Sequence, residues 1–130
     1  MSLVWVRTNK MRHTVKLKGV IVGHSELESV DESIGRAWGT FRPGLGYELV
    51  QPVFRLFSSA VPMPGGEPRD QDKLARYHAA RDHLGLSLVD ANGTVIETSA
   101  IHIADYLEEK GKLDLEVLIS DESYWKTRGD

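Results

Sequence analysis

The stretch from Tyr47 to Val61 constrains this chain most, because a single period runs through it. At about 100° per residue, Tyr47, Leu49, Val50, Val53, Phe54, Leu56, Phe57, Ala60 and Val61 fill one half of a wheel. Glu48, Gln51, Pro52, Arg55, Ser58 and Ser59 fill the other. The pattern predicts an amphipathic helix over 47–60 that buries Val50, Phe54 and Phe57. Pro52 falls on the polar half near the first turns, where a missing N–H costs least, and is expected to bend the helix over the core. The run Val53 to Phe57 also reads as a strand. A helix with one apolar face needs a second layer to cover it, so the remaining sequence has to supply that layer.

Period-two alternation supplies it. From Thr14 to Val22, Val15, Leu17 and Ile21 alternate with Lys16 and Lys18, and Val20 and Val22 fill the second face, which describes a strand closed by Gly23. His24 to Ser33 is acidic and reads as a surface excursion. Ile34 to Phe41 is a second strand with Gly35, Ala37 and Gly39 on one face and Ile34, Arg36, Trp38 and Thr40 on the other. The bare face is expected to lie close under the helix from Tyr47. Val61 to Arg69 carries Pro62, Pro64, Gly65, Gly66 and Pro68 and is a loop. A second helix is predicted over Gln71 to Leu84, capped by Asp70, stopped by Gly85 and apolar along Leu74, Tyr77, Ala80 and Leu84.

Leu86 to Ala91 and Thr94 to Thr98 flank Asn92-Gly93, a hairpin signal of the type I′ kind. Thr98 or Ser99 then caps a short helix with Ala100, Ile103, Ala104 and Leu107 inward and Gly111 as its stop, although Ile101-His102-Ile103 reads equally as strand. Leu115, Val117 and Ile119 make a final strand. Residues 121–130 are a polar tail with Tyr124 and Trp125 as anchors, and residues 1–12 an N-terminal extension in which Val4-Trp5-Val6 is an extra strand or an addition to the fold. The order β-β-α-α-β-β-α-β over residues 13–120 defines one compact α+β domain, a mostly antiparallel sheet with two to three helices.

Composition narrows the function classes. The 130 residues include no cysteine, which excludes thiolate chemistry and suits a cytoplasmic protein without an export signal. No apolar run approaches the ~20 residues of a membrane span, so no membrane partner is expected. The net charge of −3 lacks the footprint of phosphate-backbone binding. The basic cluster Arg7 to Lys18 reads as the wet face of a strand, and nucleic acid is not an expected partner.

One short stretch, Asp90 to Lys110 (DANGTVIETSAIHIADYLEEK), resembles the segment of glutathione transferases in which a hairpin ends in Glu-Ser and a helix follows. The resemblance implies anion binding by Glu97 and Ser99 at a helix start. Thr98 separates those two residues, however, the Ser99 to Tyr106 spacing is one residue longer, and no proline precedes the hairpin. The stretch is therefore taken as convergence on a capped helix after a hairpin.

Five histidines raise acid/base and metal chemistry. His78 and Asp82 share a helix face, and His102 with Asp105 has similar helical spacing, but pairs do not make a zinc site, and no metal is expected. His24 sits at a strand end with Glu26 near it. The catalytic candidates are accordingly His24, Glu26, His78, Asp82 and His102. Arg81 falls on the apolar side of its helix and has to snorkel or pair. Arg36, Trp38 and Arg55 offer a recognition surface, so the binding candidates are Arg36, Trp38, Arg55 and Arg81. Gly-x-Ser-x-Gly, Walker and dinucleotide motifs are lacking, and no cofactor is expected. The sequence reads as a small soluble binding or protein-interaction module, with a homo-oligomer or a partner protein as its associate. The alternative is a small enzyme or small-ligand protein with a His/carboxylate site beside the Pro/Gly loop.

Overall fold

Alternation on strands and one apolar stripe on a helix account for most of the architecture. The computed structural model describes the backbone of residues 11–129 and the side chains of residues 11–126; Val4-Trp5-Val6 lies outside the described residues. Strands β1 (His13–Leu17), β2 (Val20–Ser25), β3 (Ser29–Asp31) and β4 (Arg36–Pro43) precede helices α1 (Tyr47–Ala60) and α2 (Gln71–Leu84). Strands β5 (Leu86–Val89), β6 (Val95–Ile96) and β7 (Thr98–Tyr106) follow, then the single turn α3 (Leu107–Lys110), β8 (Lys112–Ile119) and α4 (Glu122–Gly129).

All pairings are antiparallel, in the order β6-β5-β1-β2-β4-β8-β7. The eighth strand, β3, pairs with the N-terminal half of β4, while the C-terminal half of β4 pairs with β2. The sheet curls until it is nearly closed, and α1 packs against β2, β7 and α2. Val15, Val22, Ala37, Phe41, Ile103, Leu115 and Val117 of the strands share one core with Val50 and Phe54 of α1. This is a single compact α+β domain.

The helix over 47–60 forms as expected, with Pro52 exposed and Phe57 half-buried against the core. Two positions exchange roles: Leu49, on the apolar half of the wheel, is exposed, and Ser58, on the polar half, is buried because its hydroxyl donates to the Asp105 carbonyl at 2.5 Å. Helix α2 has its predicted bounds, the Asp70 carboxylate accepting from the Lys73 amide at 3.0 Å and Gly85 in the left-handed region.

The helix expected from Thr98 is a correction. The chain there is strand β7, because β8 offers an eight-residue ladder and the β-branched Ile101 and Ile103 fit its buried face. Only the last turn, Leu107–Lys110, is helical, closed by Gly111. With no helix start at Ser99, the likeness to glutathione transferases has no structural counterpart. The Asn92-Gly93 turn also differs from expectation: only Gly93 takes positive φ, and the Asp90 carboxylate accepts from the amides of Asn92 and Thr94 at 2.9 Å each. The acidic excursion contains β3 and a 3-10 turn over Glu32–Ile34, and it buries Leu27 completely. The polar tail carries α4, where Trp125 Nε1 donates to the Ile119 carbonyl at 3.0 Å and Tyr124 meets His13 at 3.2 Å.

At its two glycines the small-residue stripe is covered by a different neighbour from the one predicted, while Ala37 between them belongs to the core shared with Val50 and Phe54. A Cβ on Gly39 would stand 2.9 Å from the Glu28 backbone nitrogen, and one on Gly35 would stand 2.9 Å from the Ile119 carbonyl. Backbone, rather than α1, comes close to both glycines. Gly39→Ala is therefore expected to lose about 1–3 kcal/mol in urea denaturation, since the Glu28 segment must move to admit the methyl group. An unchanged midpoint would show that the segment yields freely.

Candidate functional site

Cross-strand register assembles the site. His102 of β7 stands opposite Glu116 of β8, which stands opposite Trp38 of β4; Ala100, Leu118 and Arg36 form the next row on the same face. Arg36 bonds Glu116 through Nε and lies over the Trp38 ring, its Cζ 4.0 Å from the centroid. The helices α1 and α2 wall this face, contributing Phe57 from the first and Tyr77, His78 and Arg81 from the second.

Between helices and sheet lies a groove of about 350 Å³ that His102, Glu116, Leu118 and Ala100 complete from the strands. An adjoining depression of about 160 Å³ runs past Asp82, Gly85, Thr98 and Ser99. Arg81 and Ala100 line both.

The groove floor is an aromatic cluster. The His102 ring stands edge-on to Phe57 at 4.5 Å and to Tyr77 at 5.5 Å, and Tyr77 is edge-on to Phe57 at 5.1 Å. The Tyr77 hydroxyl and His102 Nδ1 are hydrogen-bonded, so each satisfies the other's buried polar atom. Burial holds His102 down to about 4; Glu116 opposes the shift, while Arg81 and His78 add to it. Burial likewise raises Tyr77 far above the usual phenol range, so its proton stays on at neutral pH. The Arg81 guanidinium lies over the Tyr77 ring at 5.5 Å and reaches the exposed Asp82 carboxylate at 3.3 Å.

His102 makes stability depend on pH with a definite sign. Its folded pKa of about 4 lies below the unfolded 6.5, so the unfolded chain binds more protons between those values, and stability falls as pH drops through that window. Across the whole window the loss is about 3 kcal/mol. His102→Gln is expected to flatten the dependence of the denaturation midpoint on pH between 6.5 and 4. An equally steep dependence in the variant would remove His102 as its source.

The structure thus brings His78, His102, Arg36, Trp38 and Arg81 to one face and sets Asp82 at the rim of the adjoining depression. His24 and Glu26 stand elsewhere. His24 shares a row with Thr14 of β1 and Arg42 of β4, bonding Thr14 at 3.0 Å, while Glu26 pairs with Arg42 at 3.1 Å. Burial, with Arg12 and Arg42, lowers the pKa of His24. Arg55 belongs to a separate network, forked onto Glu109 at 2.9 and 3.0 Å and donating to the Asp105 carbonyl. Among the described residues no group of three or more His, Asp or Glu is placed to hold a metal ion.

Sequence reasoning paired Asp105 with His102 at helical spacing; on strand β7 positions three apart point to opposite faces, and the buried Asp105 carboxylate instead accepts from Tyr47 at 2.6 Å and Gln51 at 3.3 Å. A period-two reading of Ile101, Ile103 and Asp105 would have placed it on the buried face.

No protein-family model matches this chain, and neither a curated protein nor a solved structure is similar to it. Fold and site therefore define the class: an α+β domain with a curled antiparallel sheet and one aromatic-floored groove under two helices. No described helix is long and apolar enough to cross a membrane.

Proposed function

We propose that this chain is a small binding module that takes an oxyanion-bearing small molecule in the groove under α2, with Arg81 as the anion-binding residue. The placement of Arg81 carries the reading. Its guanidinium rests on the Tyr77 ring, lines both adjoining depressions, and has as its acidic contact the carboxylate of Asp82, itself 72% exposed. An incoming carboxylate or phosphate can replace that long contact, 3.3 and 3.4 Å onto a single oxygen, with a bidentate one. Phe57, Ala100 and Leu118 offer an apolar wall for the rest of the molecule.

The enzyme reading is weaker because His102, the buried base of the groove, titrates near 4 and accepts protons poorly at neutral pH. The same proposal sets the module in the cytoplasm, where a chain without cysteine forgoes nothing by lacking disulfides.

Thermal unfolding with benzoate, succinate and inorganic phosphate tests the reading. At least one of these is expected to raise the midpoint of the parent with increasing concentration, less in Arg81→Lys and not at all in Arg81→Ala. Equal stabilisation of Arg81→Ala, or none in the parent, overturns it. Turnover of a bound compound that depends on His78 or His102 would favour an enzyme.

A further inference from the structure

The groove under α2 carries a second charge, opposite in sign to Arg81. Glu116 of β8 lines it across from His102, while Arg81 lines both the groove and the adjoining depression beside Ala100. Among the described ion pairs Arg81 has Asp82 as its acidic contact and Glu116 has Arg36 as its basic one, so the two heads face one space without joining. Both still act on the floor between them. Burial dominates the pKa of His102, but Glu116 raises it and Arg81 lowers it.

Arg36 decides how Glu116 is presented. It reaches Glu116 from outside the groove lining, donating from Nε to Oε2 while its guanidinium rests on the Trp38 ring, and Oε1 has no hydrogen-bond partner among the described residues. One carboxylate oxygen is thus fixed and the other is left to accept. The side chains of Glu116 and Arg81 are only 37% and 20% exposed, and in such partly desolvated places a charge-assisted hydrogen bond is stronger than in water. A molecule with anions at both ends would meet like charge at Glu116, and a diamine would meet it at Arg81. One anionic and one ammonium end satisfy both, with the linker along Phe57, Ala100 and Leu118. We propose that the ligand of this groove is an amino acid-like zwitterion whose ammonium is bound by Glu116, a reading that rests on Arg81 taking the carboxylate.

Calorimetric titration of the full chain tests this by comparing glycine, β-alanine, γ-aminobutyrate and δ-aminovalerate with propionate, butyrate, valerate and hexanoate, in which a methyl group replaces the ammonium. At least one amino acid is expected to bind about tenfold or more tightly than its methyl counterpart. Glu116→Gln, which keeps an acceptor for Arg36, is expected to remove that advantage while binding the fatty acids no more weakly than the parent. Glu116→Asp, which keeps the charge, is expected to retain part of it. Far-ultraviolet circular dichroism melts check that both variants are folded. Fatty acids bound through Arg81, with the amino acids no tighter, overturn the zwitterion and leave the anion site standing. No binding of either series overturns both. An amino-acid advantage that survives Glu116→Gln overturns the role given to Glu116.

Discussion

Phe54→Ala is expected to cost about 4 kcal/mol of folding free energy, measured as the difference in urea-extrapolated stability from the parent. Phe54 is fully buried and sits where three elements meet: its ring is edge-on to Tyr77 of α2 and to His102 of β7, each at 6.1 Å. Truncation removes a large apolar side chain and leaves a cavity that α1, α2 and the strand cannot close without breaking their other contacts. Leu49→Ala on the same helix supplies the internal comparison. That residue is exposed, and the change is expected to stay within about 0.5 kcal/mol. Equal losses at the two positions would contradict the assignment of Phe54 to the core.

Asp105→Ala is the second large loss, again about 4 kcal/mol, and its cause is electrostatic. The Asp105 carboxylate is almost wholly buried and accepts from the Tyr47 hydroxyl, from Gln51 and, at 3.2 Å, from the Leu107 amide, with the Arg55 guanidinium 3.9 Å away. Removing it strands the Tyr47 hydroxyl and the Gln51 amide in a poorly solvated place, while Arg55 keeps its fork onto Glu109. Burial and the bond to Asp105 already push the Tyr47 phenol far above its usual range, as this arrangement requires. Tyr47→Phe alone is expected to lose about 1–2 kcal/mol. The double variant should lose less than the sum of the two, because both changes break one bond. Strict additivity in that cycle would show the two residues to be uncoupled.

Several elements were legible before any coordinates. Helix α1 announced itself through its apolar stripe, α2 through Asp70 and Gly85, and the hairpin through Asn92-Gly93, because each of these signals is local. The candidate residues were legible only in part: His78 and Arg81, three apart on α2, share a helix face by spacing, but nothing told that His102 would meet them. Their meeting follows from the register that sets His102 against Glu116 and Trp38, and from α2 lying across that row.

What the sequence by itself determined, then, is the set of segments with one consistent period and chemically distinct ends. Tertiary structure decided the rest. Thr98 to Tyr106 carries both a helical and a strand pattern, and it became a strand because β8 provided a partner whose ladder and buried face a lone helix turn could not match. Gly39 took its role from the Glu28 backbone, which lies eleven positions away along the chain and is brought near only by the β3–β4 pairing. Asp105 is buried for the same kind of reason: its partners Tyr47, Gln51 and Arg55 come from α1, more than forty positions earlier, and only packing unites them. Local periodicity is written in neighbouring residues, whereas strand pairing and polar satisfaction depend on contacts between distant ones, whose energies no single segment contains.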